Sequence, residues 1–343
     1  MRKEIYINER LRFDYSEPRR IGMFGYGQSG KTYLLATITS QWPSAIVIDP
    51  QGRKGVEKCI REIGEEKKWR FLKIGGVGKS RFKINACDLH KRIMSSLGYS
   101  RKLIPIFNTF FNERREEHRT FDFLKMLFTK FGAYDLFSDF ELLLDRDDNA
   151  LPIERYNEGH TLISFVRSYS QSMIPGLILD SIVGWRNDRR LKGGPIIFGC
   201  DEANSIANSG SLTGNAFRTV AVRTRHFGVS CLVSGTHYNK LNNELKQNTQ
   251  FIFIFQNSFN EKHLSGPVGF PVEIEEKDLR SIPGEPKGFF YFFNLLDGRE
   301  PVNPFPERCN LYYKSLVKVQ VLEKYRLGTL GKAYRSFEPS DSY

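Results

Sequence analysis

Cysteine is scarce in this chain of 343 residues: five (Cys59, Cys87, Cys200, Cys231 and Cys309), with no C-x-x-C pair among them. An odd number without regular spacing argues against a disulfide framework or a zinc site and fits a reducing compartment. Long apolar runs are missing too, and none approaches the ~20 residues that span a bilayer. The opening MRKEIYINERLRFDYSEPRR lacks the apolar core that a secretory signal needs. A soluble, cytoplasmic protein without a transmembrane segment is expected. Acidic residues are outnumbered, 39 Asp and Glu against 51 Lys and Arg, which leaves a formal charge of +12. That balance points to a polyanion, either nucleic acid or an anionic membrane surface, or else to a merely basic exterior.

What the chain does contain is concentrated in one stretch. Phe24–Thr32 reads FGYGQSGKT and follows the apolar lead Ile21-Gly22-Met23. Gly25-x-x-x-x-Gly30-Lys31-Thr32 matches the phosphate-binding pattern G-x-x-x-x-G-K-[ST] at every fixed position. A random chain of this length would show it about 1% of the time. Gly25, Gly27 and Gly30 are expected to free the backbone to aim successive N–H groups at phosphate oxygens. Lys31 supplies a point charge between the β- and γ-phosphates, and the Thr32 hydroxyl can ligate Mg²⁺. A helix from Tyr33 to about Ser40 would turn its positive end toward the same anion. ATP and Mg²⁺ are the expected ligands. The expected nucleotide contacts are Gly25, Gly27, Gln28, Ser29, Gly30, Lys31, Thr32 and Tyr33.

Along the chain, apolar runs alternate with helical periodicity. Residues 1–20 read as a lead segment holding a short strand and a loop. Ala45–Asp49 reads as a buried parallel strand closed by Asp49-Pro50, followed by a helix near Val56–Lys67 and a strand at Phe71–Ile74. From 85 to 150 apolar residues recur at helical spacing (Leu89, Ile93, Leu97; Ile106, Phe110; Phe121, Leu124, Phe128), which predicts a helical insertion of three or four helices. The charged run Asn112–Arg119 inside it reads as a solvated link. Strands are predicted at Thr161–Val166, Pro195–Cys200, Val229–Val233 and Phe251–Phe255, with an edge strand at Phe289–Phe293. Helices are predicted at Gln171–Arg186 and Asn215–Arg225. The expected fold is therefore α/β, a parallel sheet flanked by helices. Its ATPase domain would be split into 21–84 and 151–307 around the insertion, with a basic tail at 308–343.

The strand Ile196–Cys200 ends in Asp201-Glu202. An Asp at that end can hold the Mg²⁺ shell beside the phosphate loop. The adjacent Glu can take the proton of the water that attacks the γ-phosphate. Thr236 and His237, after a strand expected to neighbour this one, are either γ-phosphate sensors or surface turn residues. Arg218, Arg223 and Arg225 lie on the intervening helix and either complete a neighbouring subunit's site or form a basic face toward DNA or solvent. The Ser/Gly/Asn-rich stretch 204–215 is a moving DNA-contact loop or a plain connection. In the tail, Arg308 to Arg335 sets seven basic residues and four tyrosines against one acid, which suits a phosphate backbone or a neighbouring subunit.

These pieces together resemble the HerA/FtsK superfamily of ring-forming, DNA-pumping ATPases. The resemblance rests on GYGQSGKT (25–32), Asp49-Pro50, the helical insertion, the strand at 161–166, Asp201-Glu202 and Arg225-His226-Phe227-Gly228-Val229. It continues through Asn248-Thr249-Gln250 and Leu279-x-x-Ile282-Pro283-Gly284-Glu285, about residues 20–305 in all. It implies a RecA-like P-loop fold, with Lys31 and Thr32 at phosphate and metal, Asp201 at magnesium and Glu202 as catalytic base. His237 and Arg225 complete the expected catalytic set. The family usually has Gln where His237 falls, and many members end the 251–255 strand with Arg where Gln256 stands here. The β-barrel of HerA-type repair translocases does not fit into some 20 residues, and the membrane helices of coupling proteins and FtsK are absent. What remains is similar to the short genome-packaging ATPases of membrane-containing icosahedral viruses or to a compact plasmid-borne translocase.

The resemblance implies double-stranded DNA as partner, a self-associated ring expected as a hexamer, and contact with capsid or membrane proteins of a virion. The compartment would be the host cytoplasm or the virion. Two alternatives stay open: an assembly ATPase acting on a virion or pilus protein, and a P-loop switch NTPase. A GTPase would need Asn-Lys-x-Asp, and the nearest stretch, Asn239-Lys240-Leu241-Asn242, lacks the Asp.

Overall fold

The computed structural model describes residues 4–8, 11–50, 52, 55–97, 101–147, 149–165, 173–191, 193–205, 212–238, 243–255, 289–294 and 307–308. The chain opens with strands β1 (Glu4–Tyr6) and β2 (Arg12–Asp14), then β3 (Arg20–Phe24), helix α1 (Lys31–Gln41), β4 (Ser44–Asp49), α2 (Gly55–Glu62) and β5 (Trp69–Ile74). Four helices follow: α3 (Ile93–Leu97), α4 (Leu103–Asn112), α5 (Phe121–Lys130) and α6 (Phe137–Leu143). Then come α7 (Ile153–Asn157), β6 (His160–Phe165), α8 (Ile174–Asn187), β7 (Ile196–Cys200), α9 (Leu212–Phe227) and β8 (Val229–Gly235). The last elements are α10 (Asn243–Asn248), β9 (Phe251–Phe255), β10 (Phe289–Asn294) and β11 (Glu307–Arg308).

The main sheet runs in the order β11-β10-β9-β3-β8-β7-β4-β6-β5. Its seven strands from β9 to β5 are parallel, while β10 and β11 extend it antiparallel. Because the strands are buried on both faces, their sequences are apolar almost throughout, and alternate residues serve opposite cores. Ile46, Ile48, Phe198, Cys200 and Val233 belong to one cluster with α8, α9 and the four inserted helices. Val47, Ile197, Leu232, Phe251 and Phe253 belong to the other, with α1, α2 and the β1–β2 pair.

Two expectations need correction. The lead segment folds as an antiparallel pair, β1 with β2, where one strand was expected. Three-residue strands with charged outward positions are too short for alternation to be read. The strand at 289–294 is not an edge among the described residues, because β11 pairs with its outer side.

The insertion is held by aromatic packing: ring centroids of Phe107 and Phe140 lie 5.1 Å apart, and those of Phe128 and Phe140 lie 5.2 Å apart. Lys83 Nζ donates to the carbonyls of Glu141 (2.5 Å) and Leu144 (2.7 Å), tying the end of α6 back to the segment after β5. The charged run ends in an exposed turn whose Glu116 receives Arg190 at 3.3 Å. Among the described residues no helix is long and apolar enough to cross a membrane.

Candidate nucleotide-binding site

All seven parallel strands point their carboxyl ends to one rim, where ligands bind in open α/β sheets. Strand order brings distant residues together there. β8 lies between the phosphate-loop strand β3 and the acidic strand β7, as the sequence suggested for β7 and β8. β4 lies on the other side of β7, with Ile48 opposite Cys200.

Positive φ values shape the loop between β3 and α1, beginning with Gly25 at +158°. Gly30 has φ +113° and caps α1, and Gln28 sits in the left-handed region at φ +64°. Gly27 is different from expectation: it has no positive φ, and a Cβ there would meet nothing within 4 Å among the described residues. Its conformational freedom is not what the loop uses. Helix α1 already begins at Lys31, so Lys31 and Thr32 both sit on its first turn.

Lys31 is 3% exposed, and its Nζ donates to the carbonyls of Gly25 (2.8 Å) and Tyr26 (2.6 Å). Burial lowers its pKa, against the opposing pull of Glu202 and Asp201. Thr32 Oγ1 donates to Asp201 Oδ2 at 3.1 Å. Asp201 is 6% exposed, and its backbone N–H donates to Ile48 O at 3.0 Å. Glu202 adopts φ +48°, a strained value for a non-glycine residue. Burial raises the pKa of its carboxyl, Lys31 lowers it and Asp201 raises it. Lys31, Thr32, Asp201 and Glu202 are thus brought together.

Three contributors were not read as site residues from the sequence. Ser234, the penultimate residue of β8, donates its hydroxyl to Asp201 Oδ1 and accepts the Glu202 N–H at 3.2 Å. Asn204 holds the main chain of His237 from both sides, donating to its carbonyl at 2.8 Å and accepting its N–H at 3.2 Å. Asp49 ends β4 in the position next to Asp201, and the Gly52 N–H donates to its Oδ1 at 3.3 Å. Gly52 has φ +59°, and a Cβ on it would lie 2.0 Å from Phe165 O, so the turn after Asp49 admits only glycine. Asp49 carried a signal, as the acid that closes an apolar strand. Ser234 carried none without the strand order, and Asn204 was read only as the first residue of the 204–215 stretch.

The other candidates divide. Thr236 and His237 follow β8 directly, half-buried at this rim. Arg218 lies 3.4 Å from Glu244 on α10. Arg223 and Arg225 lie on α9, and their side chains fall outside the described residues, as do most of 204–215, the run 239–242, Gln256, 279–285 and the basic tail.

The donor set fits a nucleotide phosphate. Ser29 Oγ is buried in the loop with no hydrogen-bond partner among the described residues, and its hydroxyl could donate to an anion's oxygen. A hydroxyl beside a carboxylate suits a hard divalent cation that shares its remaining ligands with phosphate and water. An all-protein metal cage is not present among the described residues.

Structural comparison finds this fold elsewhere. The bacterial conjugative coupling protein TrwB, in its ΔN70 form with sulphate, aligns with a TM-score of 0.56 at 12% identity, covering 91% of this chain and 92% of that one. Plasmid coupling protein TrwB with ADP and Mg²⁺ aligns at 0.52 and 12% identity, covering 81% and 82%. The genome packaging NTPase B204 of Sulfolobus turreted icosahedral virus 2, with AMP, aligns at 11% identity over 87% and 98%; its TM-score of 0.40 is too low to carry an argument. At these identities the likeness shows a fold and nothing finer. No family model matches the sequence, and no curated protein does.

Proposed function

We propose that this chain, which has a P-loop NTPase fold of the HerA/FtsK type, hydrolyses ATP to move double-stranded DNA. The observation that carries the proposal is the meeting of Lys31, Thr32, Asp201 and Glu202 at the carboxyl rim of the sheet. TrwB, which shares the fold, has been seen with ADP and Mg²⁺.

In this account the loop N–H groups, Ser29 Oγ and Lys31 bind the phosphates. Phosphate oxygens compete with the Gly25 and Tyr26 carbonyls for the Lys31 ammonium. Thr32 and Asp201 hold Mg²⁺, which supplies charge neutralisation to the phosphates when bound. Glu202 accepts the proton as the oxygen of water bonds to the γ-phosphorus. The bond to the β–γ bridging oxygen breaks, and ADP leaves with that oxygen. Burial that raises the Glu202 carboxyl improves it as a base. His237 senses the γ-phosphate from the end of β8. An arginine of α9, with Arg225 the candidate, would complete the site of a neighbouring subunit in a ring, for which a hexamer is the expected form.

DNA as the moved polymer is supported by the charge of +12 and the basic, tyrosine-rich stretch from Arg308 to Arg335. Genome packaging in a virion and plasmid transfer are the two settings this reading allows. The test is steady-state ATP hydrolysis with and without duplex DNA over a salt series. Stimulation by DNA that fades as salt rises supports the motor. Turnover indifferent to DNA at every salt rejects it in favour of an assembly ATPase with a protein partner.

A further inference from the structure

We propose that Asn204 is a positioning residue for hydrolysis: its side-chain amide locks the Thr236–His237 segment to the acidic turn that carries Glu202. This rests on the hydrolytic reading above. Asn204 lies on the turn Ala203–Ser205, directly after the acidic pair. Its Nδ2 donates to His237 O at 2.8 Å and its Oδ1 accepts the His237 N–H at 3.2 Å. A two-point bracket of this kind needs one donor and one acceptor on a single planar group, which a carboxamide has and a carboxylate lacks.

Gly235 supplies an independent observation. A Cβ built on it would lie 1.9 Å from Asn204 Oδ1 and 2.8 Å from its Cγ, so the strand end runs directly against the amide. The carbonyl of the same Gly235 accepts the N–H of Gly25, the first residue of the phosphate loop, at 3.2 Å. Phosphate loop, strand end and acidic turn are therefore one contiguous block, with Gly235 between its halves. Ser234 fastens the block at the level of Asp201, and Asn204 fastens it one step further out, where β8 has ended. Without the amide, the segment facing the γ-phosphate and the turn bearing the base can drift apart. The phosphate loop's own contacts to nucleotide stay intact.

The test uses the full chain as wild type, Asn204→Ala, Asn204→Asp, Gly235→Ala and the Gly235→Ala/Asn204→Ala double variant. Readouts are kcat and KM for ATP, affinity for a fluorescent non-hydrolysable ATP analogue, and the thermal midpoint. Both Asn204 variants should lose about tenfold to a hundredfold in kcat, with analogue affinity and midpoint close to wild type. Gly235→Ala should lower the midpoint in the wild-type background and much less beside Asn204→Ala, where the space is vacated. An Asn204→Ala variant with wild-type kcat overturns the role. So does one whose kcat falls only together with analogue affinity and midpoint. A wild type that turns over no ATP removes the hydrolytic reading itself, and this role with it.

Discussion

Thr32 Oγ1 and Asp201 Oδ2 lie 3.1 Å apart although 169 residues separate them in the chain. The sheet order brings this about: β7 and β8 are inserted between β4 and β3, so the acidic strand end comes to face the first turn of α1. If this hydroxyl–carboxylate pair holds the metal, Asp201→Asn should raise the Mg²⁺ concentration for half-maximal ATP turnover by about tenfold or more. A Mg²⁺ titration of activity checks it, and an unchanged midpoint contradicts the assignment.

Ser234 connects the same carboxylate to the Glu202 N–H. Ser234→Ala leaves a buried carboxylate oxygen without its donor, a loss worth about 1–3 kcal/mol. A drop of about tenfold in kcat is expected, with the KM for ATP little changed. Steady-state kinetics on the purified variant measure both.

The phosphate loop makes a prediction by contrast. Gly30→Ala puts a side chain on a φ of +113° and should weaken binding of a fluorescent ATP analogue by about tenfold. Gly27→Ala has no positive φ to strain and should weaken binding much less. Equal damage from the two would contradict the loop conformation described here.

His160 is buried beneath Trp42, whose carbonyl lies 2.9 Å from its Nε2, and burial pushes its pKa down to about 4. The folded state thus prefers the neutral ring, and the unfolded chain takes up the proton first. Stability from this group is complete above the unfolded value near 6.5 and is lost as pH falls toward 4. Relative to His160→Gln, wild type should lose about 2 kcal/mol between pH 7 and pH 5. Urea unfolding of both proteins at the two pH values measures the difference.

Gly184 in α8 touches the His90 ring, where an added Cβ would lie 2.0 Å from Nδ1. His90 is fixed there by Asp188 at 2.8 Å and by the Trp185 ring, so it has little room to yield. Gly184→Ala should destabilise the chain by about 1–3 kcal/mol, read as a lower thermal midpoint. α8 packs in the core opposite the one that holds α1, so ATP affinity below the transition should persist.

Much of the fold was legible because several of its strands are short, almost wholly apolar runs. Ala45–Asp49, Ile196–Cys200 and Phe251–Phe255 needed no tertiary information. The first turn of α1 was misjudged by two residues, since the loop's own Lys31 and Thr32 already have helical geometry. Gln28, not Gly27, turned out to carry a left-handed φ, because backbone permissiveness in a glycine does not oblige its use. The supports of the site were hidden for a different reason. Ser234 and Asn204 act through the ends of neighbouring strands, and that adjacency exists only once the sheet order is known. Asp49 was visible as a strand terminator, but its place beside Asp201 follows from the β4–β7 register.

The most direct measurement is multiple-turnover ATP hydrolysis by Glu202→Gln beside wild type, with the affinity of each for a fluorescent non-hydrolysable ATP analogue. The substitution keeps the side chain's shape and removes its capacity to accept a proton. Analogue affinity is expected near wild type, with turnover reduced by about a hundredfold or more. Wild-type turnover in Glu202→Gln would contradict the assignment of the base and, with it, the reading of this rim as a hydrolytic site.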